Sequence, residues 1–369
     1  MSDNIPFELQ IEIIKRVRPV KSLIRFRSVS KQWKSLIDSS EFITHHIVKH
    51  SHPPHLLVKN RYIGEYNYVS IVDDDSFPRH KFHPTPDLLT DDASFLDCSH
   101  GLVCLYGSSR DPINTKKLIV VWNPSIRKSV SVAVPNGLVA VGFGVCPKTN
   151  DPKIVQITSS SLSPVDWKAE VFTLSTRAWR SIPVNVSIPS EPDGFGNDQE
   201  VEFEKNQVVI DGIIYWLAYD FHTEQALIIS FDLTSEELGK VAIPVDLAIE
   251  YELSIYKFKD SVALLRLRGN KVYDVWTMTK NSDGEFSFTK QFEIDFSILD
   301  GDPRSYYSIL GFRANGQPIM EEGARLKVFE PYSQRISDLE IDGDDYLWFE
   351  MASYTESLLL INHSASVIH

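Results

Sequence analysis

The sequence predicts an α+β chain in two parts: a small helical domain over residues 1–50, then an all-β domain over residues 51–369. Three observations point there. Apolar residues recur every three or four positions up to about Ile47, then alternate with polar ones. Charge divides at the same place: residues 1–50 hold nine Lys/Arg and five Asp/Glu, a balance of +4, and the remainder holds 28 and 45, a balance of −17. Within the β part, one phrase returns about every 50 residues. With 43% hydrophobic and 24% charged residues, the chain has enough apolar matter for real cores.

In the helical part, Asp3 and Asn4 are candidate caps, Pro6 suits a first turn and Glu8 suits the positive helix end. Leu9, Ile13 and Val17, with Ile14 beside them, make a first apolar stripe, and Pro19 breaks it. Val20, Leu23 and Ile24 make a second, and Val29, Trp33, Leu36 and Ile37 a third. Phe42, Ile43 and Ile47 continue into a fourth. So small a unit holds more apolar side chains than one core can hide, so part of the surface is expected to meet a partner. The basic residues among them could suggest a nucleic-acid reader, with Lys31 and Lys34 on a helix after a turn. Trp33 on the apolar stripe and the acidic remainder argue against it.

The residues themselves form a known pattern: Ile5-Pro6, Glu8-Leu9, Glu12-Ile13-Ile14, Pro19-Val20-Lys21-Ser22-Leu23, Arg25-Phe26-Arg27, Val29, Lys31, Trp33 and Leu36-Ile37. This resembles the F-box, the module through which substrate receptors join Skp–cullin–F-box (SCF) ubiquitin ligases. It departs in having Ser30 where Cys is frequent, and one additional residue about Arg18. The resemblance implies that Ile5, Pro6, Leu9, Ile13, Ile14, Leu23, Ile24, Phe26, Val29 and Trp33 face or support an interface with a Skp-family adaptor, and through it cullin. The basic residues would lie at the polar rim, where charge steers encounter.

Between the two parts lie His45, His46, His50, His52 and His55. Without a Cys or carboxylate among them, and with Pro53-Pro54 marking a stiff connection before His55, they read as a solvated helix end and linker, not a metal site.

In the β part, "VWNPSIRKSVSVAVP" begins at Val121 and "VFTLSTRAWRSIP" at Val171. "SFDLTSEELGKVAIP" begins at Ser230, "VWTMTKNSDGEFSF" at Val275 and "VFEPYSQRISDLEI" at Val328. Their aromatic residues Trp122, Phe172, Phe231, Trp276 and Phe329 are spaced by 50, 59, 45 and 53 residues. About four short strands per period is the arithmetic of a β-propeller, whose blades hide each other's faces. Five units are plain, and "HLLVKNRYI", "YNYVSIV" and "YLWFEMASYTESLLLI" would combine strands from both ends of the chain into a sixth blade. A large β-sandwich, the competing fold, would not need the period. "HGLVCLYG", "VWNPSIRK" and "YTESLLLI" are similar to phrases of plant F-box proteins with a C-terminal F-box-associated, kelch-like propeller domain. That resemblance implies a substrate receptor whose propeller holds a target protein, leading to its ubiquitination and proteasomal degradation.

Catalytic signatures are missing from the sequence: no Gly-x-Ser-x-Gly and no Walker loop. "GFG" at 142–144 and at 194–196 reads as turn glycine. Asp73-Asp74-Asp75, Asp91-Asp92, Asp342 and Asp344-Asp345 read as solvated loops. Cys98, Cys104 and Cys146 lack disulfide-framework or metal spacing and read as reduced core thiols. No apolar run reaches bilayer length and no secretory leader is visible, so a cytoplasmic or nuclear protein without membrane, nucleic-acid, metal or cofactor partners is expected. The alternatives are a propeller enzyme, or an F-box protein acting outside ubiquitin ligation. The acidic connection 185–205, with Phe195 between glycines, is a candidate target contact.

Overall fold

The computed structural model describes residues 5–49, 55–63, 65–74, 80–84, 86, 88–90, 93–111, 113, 115–134, 138–160, 163–186, 201–221, 223–248, 253–269, 271–298, 307–331, 333–344, 349–363 and 366–368. The chain falls into two compact units. The first holds residues 1–59, 66–133 and 352–369, and the second holds 60–65 and 134–351.

Four helices lead: α1 (Phe7–Lys15), α2 (Val20–Phe26), α3 (Lys31–Ile37) and α4 (Ser40–Lys49). The strands then run β1 (His55–Tyr62), β2 (Glu65–Val72), β3 (His80–His83), β4 (Ser94–Ser99), β5 (Leu102–Ser108), β6 (Lys117–Asn123) and β7 (Lys128–Ala133). Next come β8 (Leu138–Val145), β9 (Pro152–Ser160), β10 (Ser163–Thr173), β11 (Ala178–Ile182), β12 (Val201–Ile210), β13 (Ile213–Asp220), β14 (Gln225–Asp232) and β15 (Leu238–Ala242). After the short α5 (Val245–Ala248) follow β16 (Leu253–Phe258), β17 (Ser261–Arg268), β18 (Val272–Lys280), β19 (Phe286–Asp295), β20 (Tyr307–Phe312), β21 (Pro318–Glu322), β22 (Arg325–Glu330) and β23 (Arg335–Asp342). The chain closes with β24 (Glu350–Tyr354) and β25 (Ser366–Ile368).

These strands make six sheets, β24-β1-β2-β3, β4-β5-β6-β7 with β25 added beside β7, β8 to β11, β12 to β15, β16 to β19 and β20 to β23. This is the six-bladed all-β propeller behind a helical head that the period predicts. The first blade takes its innermost strand from the C-terminal part of the chain, as the leftover sequence segments require. β25 is not foreseen; it pairs in parallel with β7, Val367 opposite Ser131.

The recurring phrase is the hairpin joining the third and fourth strands of a blade. Five residues after the buried aromatics Trp122, Phe172, Phe231 and Phe329 stand Arg127, Arg177, Glu236 and Gln334, with φ of 56°, 53°, 61° and 54°. Each hairpin thus closes through one left-handed residue. A side-chain carbonyl or carboxylate holds some of the turns: Asp232 Oδ1 accepts the Thr234 and Ser235 amides at 2.6 and 3.0 Å. In the fifth blade the turn is longer and Gly284 takes the left-handed position at φ 87°.

One expectation is corrected. The glycines at 142 and 144 lie inside β8 and not in a turn. A Cβ on Gly142 would stand 2.2 Å from the Trp216 indole, and one on Gly144 2.6 Å from Leu233 Cδ1. They are glycines so that large side chains of the second unit can pack over the strand. The pair at 194–196 lies outside the described residues.

Candidate partner-binding head

α1 starts after Pro6 without a side-chain cap; Asp3 and Asn4 lie outside the described residues. Along α1 the four-residue spacing of Leu9 and Ile13 puts them on one face, and they are exposed at 56% and 54%. Ile14, one position on, is 1% exposed and points into the head. Ile5 and Val29 are likewise exposed, at 43% and 63%, and Pro6 is exposed too. Ile24, Phe26 and Trp33 are half-buried. Leu23 is fully buried. Of the ten residues expected at the interface, Ile14 and Leu23 therefore serve the interior. They hold the helices that present the others.

Trp33 is fixed from two sides. Its ring meets Phe26 edge-on with centroids 5.4 Å apart, and its Nε1 donates to Gln10 Oε1 at 2.8 Å. Gln10 Nε2 in turn donates to the Ile5 carbonyl at 2.8 Å. Gln10, which the apolar pattern passes over, thus ties the exposed Ile5 to the Trp33 anchor. Ser30, standing where Cys is frequent, caps α3: its Oγ accepts the Trp33 amide at 3.1 Å. The turn at Arg18 is also held, because His46 Nε2 meets the Arg18 carbonyl at 3.0 Å. His46 is buried, so the solvated reading of the histidines does not hold for it. His50 and His52 lie outside the described residues.

The interior of the head is completed from far away in sequence. Ile14, Val20, Leu23, Ile37 and Phe42 pack with Leu358 and Ile361, and Ile126 of the β6–β7 turn lies against them. The segment after β24 is therefore a joint as well as a blade connection. Asn362 Nδ2 donates to the Asp38 carbonyl at 2.6 Å. Lys128 Nζ donates to the carbonyls of Ile361 and His363 at 2.6 and 2.8 Å, and burial together with the nearby Arg27 charge lowers its pKa. Asp38 itself is bonded by Arg27 Nη2 at 2.8 Å and Lys34 Nζ at 2.6 Å. Burial would raise its pKa, but these two cations hold it below the usual carboxylate range. At the far end of the joint a Cβ on Gly101, whose φ is 77°, would lie 2.3 Å from the Thr355 carbonyl. Only glycine lets the segment pass there.

With this geometry in place, a family profile described as "F-box domain" matches residues 2–45 and one described as "F-box associated beta propeller domain" matches residues 85–359. The chain belongs to the F-box-associated β-propeller family. The F-box protein At5g18160 of Arabidopsis thaliana is 25% identical over 384 residues, covering 100% of this chain and 92% of that relative. The F-box protein At4g19940 of the same plant is 26% identical over 389 residues, covering 93% and 88%. A further relative from that plant is 25% identical over 277 residues, covering 68% of this chain and 63% of its own length.

Elsewhere in this F-box protein the candidate loops are structural or outside view. Asp344 Oδ1 accepts the Ile63 amide at 2.8 Å, and Asp342 faces Arg325 Nε at 3.4 Å. Asp75, Asp91, Asp92, Asp345 and residues 187–200 with Phe195 lie outside the described residues. Asp274, buried in the fifth blade, is neutralised by Arg266 Nη2 at 2.8 Å, Arg268 Nε at 2.9 Å and Lys290 Nζ at 2.7 Å. Such a carboxylate is held ionised as an ion-pair centre, which unfits it for proton transfer. Among the described residues, no group of three or more His, Cys, Asp or Glu is placed to hold a metal ion.

Proposed function

We propose that the protein is the substrate-recognition subunit of an SCF-type E3 ubiquitin ligase, with no catalysis of its own. The head engages a Skp-family adaptor and through it cullin. The propeller holds a target protein for ubiquitination and proteasomal degradation. Chemistry would come from other subunits, and this chain would contribute proximity. It would act in the cytoplasm or nucleus, where a tagged chain should be seen by microscopy.

One observation carries the reading: Ile5, Leu9, Ile13 and Val29 stay in solvent although the head has a filled interior of its own. Uncovered side chains of that size beside a filled core mark a surface meant for another polypeptide. Co-purification with a Skp-family adaptor tests it. The double substitution Leu9→Asp with Ile13→Asp should weaken capture at least about a hundredfold, as expected for two anchors each contributing roughly 1–3 kcal/mol. The melting temperature should hold, since both positions are exposed. Undiminished capture by that variant refutes the assignment. Cullin in the captured material separates a ligase subunit from an F-box protein that works with the adaptor alone.

A further inference from the structure

In the second unit, the large apolar side chains exposed among the described residues are Tyr62, Ile63, Phe221 and Val245, at 47%, 77%, 43% and 56%. Strand direction places all four at one end of their sheets. In a four-stranded meander, the turn between second and third strands shares an end with the connections to neighbouring sheets, and the other two hairpins lie at the opposite end. Tyr62 and Ile63 stand at the β1–β2 turn, Phe221 at the β13–β14 turn, and Val245 opens α5 between β15 and β16. The hairpins at the opposite end, from β8–β9 to β22–β23, show no exposed large apolar side chain among the described residues.

The Ile63 tip is built to stay as it is. Ile63 has φ 53°, a conformation that a β-branched residue rarely adopts. Three bonds hold it: Ile63 N–H to Asp344 Oδ1 at 2.8 Å, Asp344 N–H to the Arg61 carbonyl at 2.8 Å, and Asn60 Nδ2 to the Asp342 carbonyl at 2.7 Å. Backbone strain is thus maintained by neighbours while the side chain is left in water. That is a poor arrangement for stability and a good one for contact.

Charge identifies what would come there. The second unit contains 20 Lys/Arg and 36 Asp/Glu, a balance of −16, against 17 and 14 in the first, a balance of +3. Glu224 and Asp246 lie in the same connections as Phe221 and Val245, whereas Asp344 beside Ile63 is paired with Arg61 at 3.9 Å, so the acidic excess at this end rests on the other connections and on the unit as a whole. Such a field repels phosphate backbones and attracts cationic chains.

We propose that this end of the second unit is the target-docking surface, and that its occupant is a polypeptide segment mixing Lys/Arg with large apolar residues. The proposal rests on the receptor reading above and names the class of target.

A phage-displayed random peptide library, selected on the immobilised full-length chain, supplies the probe. Selected peptides should be enriched at least about twofold in Lys/Arg together with Leu, Ile, Phe and Trp. Raising salt from about 50 to about 300 mM should weaken their binding several-fold, by screening. Val245→Ser should weaken binding about tenfold, the loss of one anchor of about 1.4 kcal/mol, and Phe221→Ser with Ile63→Asn, which removes two, up to about a hundredfold. The melting temperatures should stay within a few degrees. A selection that returns no peptide, or acidic or uncharged ones, overturns the proposal; so does equal binding by both stably folded variants. Adaptor capture by the same proteins reports separately on the receptor reading. These variants should capture adaptor normally, and Leu9→Asp with Ile13→Asp should lose adaptor but keep the peptides.

Discussion

Asn123 shows how much one side chain can hold. It is fully buried at the end of β6; its Nδ2 donates to the Ser357 and Leu359 carbonyls at 3.0 and 2.8 Å, and its Oδ1 accepts the Ser125 amide at 2.9 Å. Truncation to Ala strands two buried carbonyls, each costing about 1–3 kcal/mol. Asn123→Ala should therefore lower stability by about 3 kcal/mol in urea melts. Asn123→Asp should do no better, since a carboxylate offers acceptors where donors are needed. Glu321 gives a pH-dependent case. Burial pushes its carboxyl from 4.5 to about 7, against a bond from the Phe349 amide that favours the charged form. The folded protein then binds a proton that the unfolded chain has released, so this side chain lowers stability progressively as pH rises from about 4.5 through about 7. Glu321→Gln removes the dependence. Its melting temperature should equal that of the parent near pH 4 and exceed it at pH 8, by about 1 kcal/mol in stability once solvent screening of a half-exposed group is allowed for. A variant that gains as much at pH 4 as at pH 8 contradicts this.

The elements differ in how far local chemistry specifies them. Ser30 begins α3 by accepting the Trp33 amide, and Ser30→Ala should cost about 1 kcal/mol in thermal melts. The blade hairpins were legible because alternation, one aromatic and a turn residue recur together within fifteen positions, and each of those signals is local. The F-box stripes were legible for the same reason; which of their side chains face outward was not, since Ile14 and Leu23 stood in the same set as Leu9 and Ile13. The joint was not. Leu358 and Ile361 sit in "YTESLLLI", which reads as a strand, yet only Tyr354 ends one, and residues 359–362 form turns. Their burial depends on Ile14 and Leu23, more than 330 positions earlier, and no period relates such positions. His46 and Gln10 escaped for the opposite reason: a lone polar residue carries no pattern, and only the partner it meets reveals its work. Leu358→Ala should destabilise the head by about 2–5 kcal/mol, as large-to-small changes in packed interiors do. Hydrogen exchange should then quicken in α1 to α4 and leave β13 and β14 as protected as before.

At the scale of the whole molecule, the head is a continuous stretch of sequence but not a self-contained one. Its interior borrows Leu358 and Ile361, and its Asp38 carbonyl is bonded by Asn362, so the first and last parts of the chain close over each other within one unit. Small helical units near the lower size limit rarely have stability to spare, and this one finds it in the segment that follows β24. Under the proposed receptor role, Leu9 and Ile13 would be presented to an adaptor only once the segment after β24 has packed against the head, which would couple partner binding to that packing. Truncation after Tyr354 tests the coupling, because it leaves residues 1–50 and all six innermost strands intact. The truncated protein should retain its β-sheet circular dichroism, lose helical signal from the head and capture adaptor at least about tenfold less well, the effect of removing two buried apolar anchors. The truncated segment, residues 355–369, added back as a synthetic peptide at high concentration, should restore part of the capture, and the same peptide carrying Leu358→Asp should restore none. Full capture by the truncated protein would mean that the head folds without its distant partners.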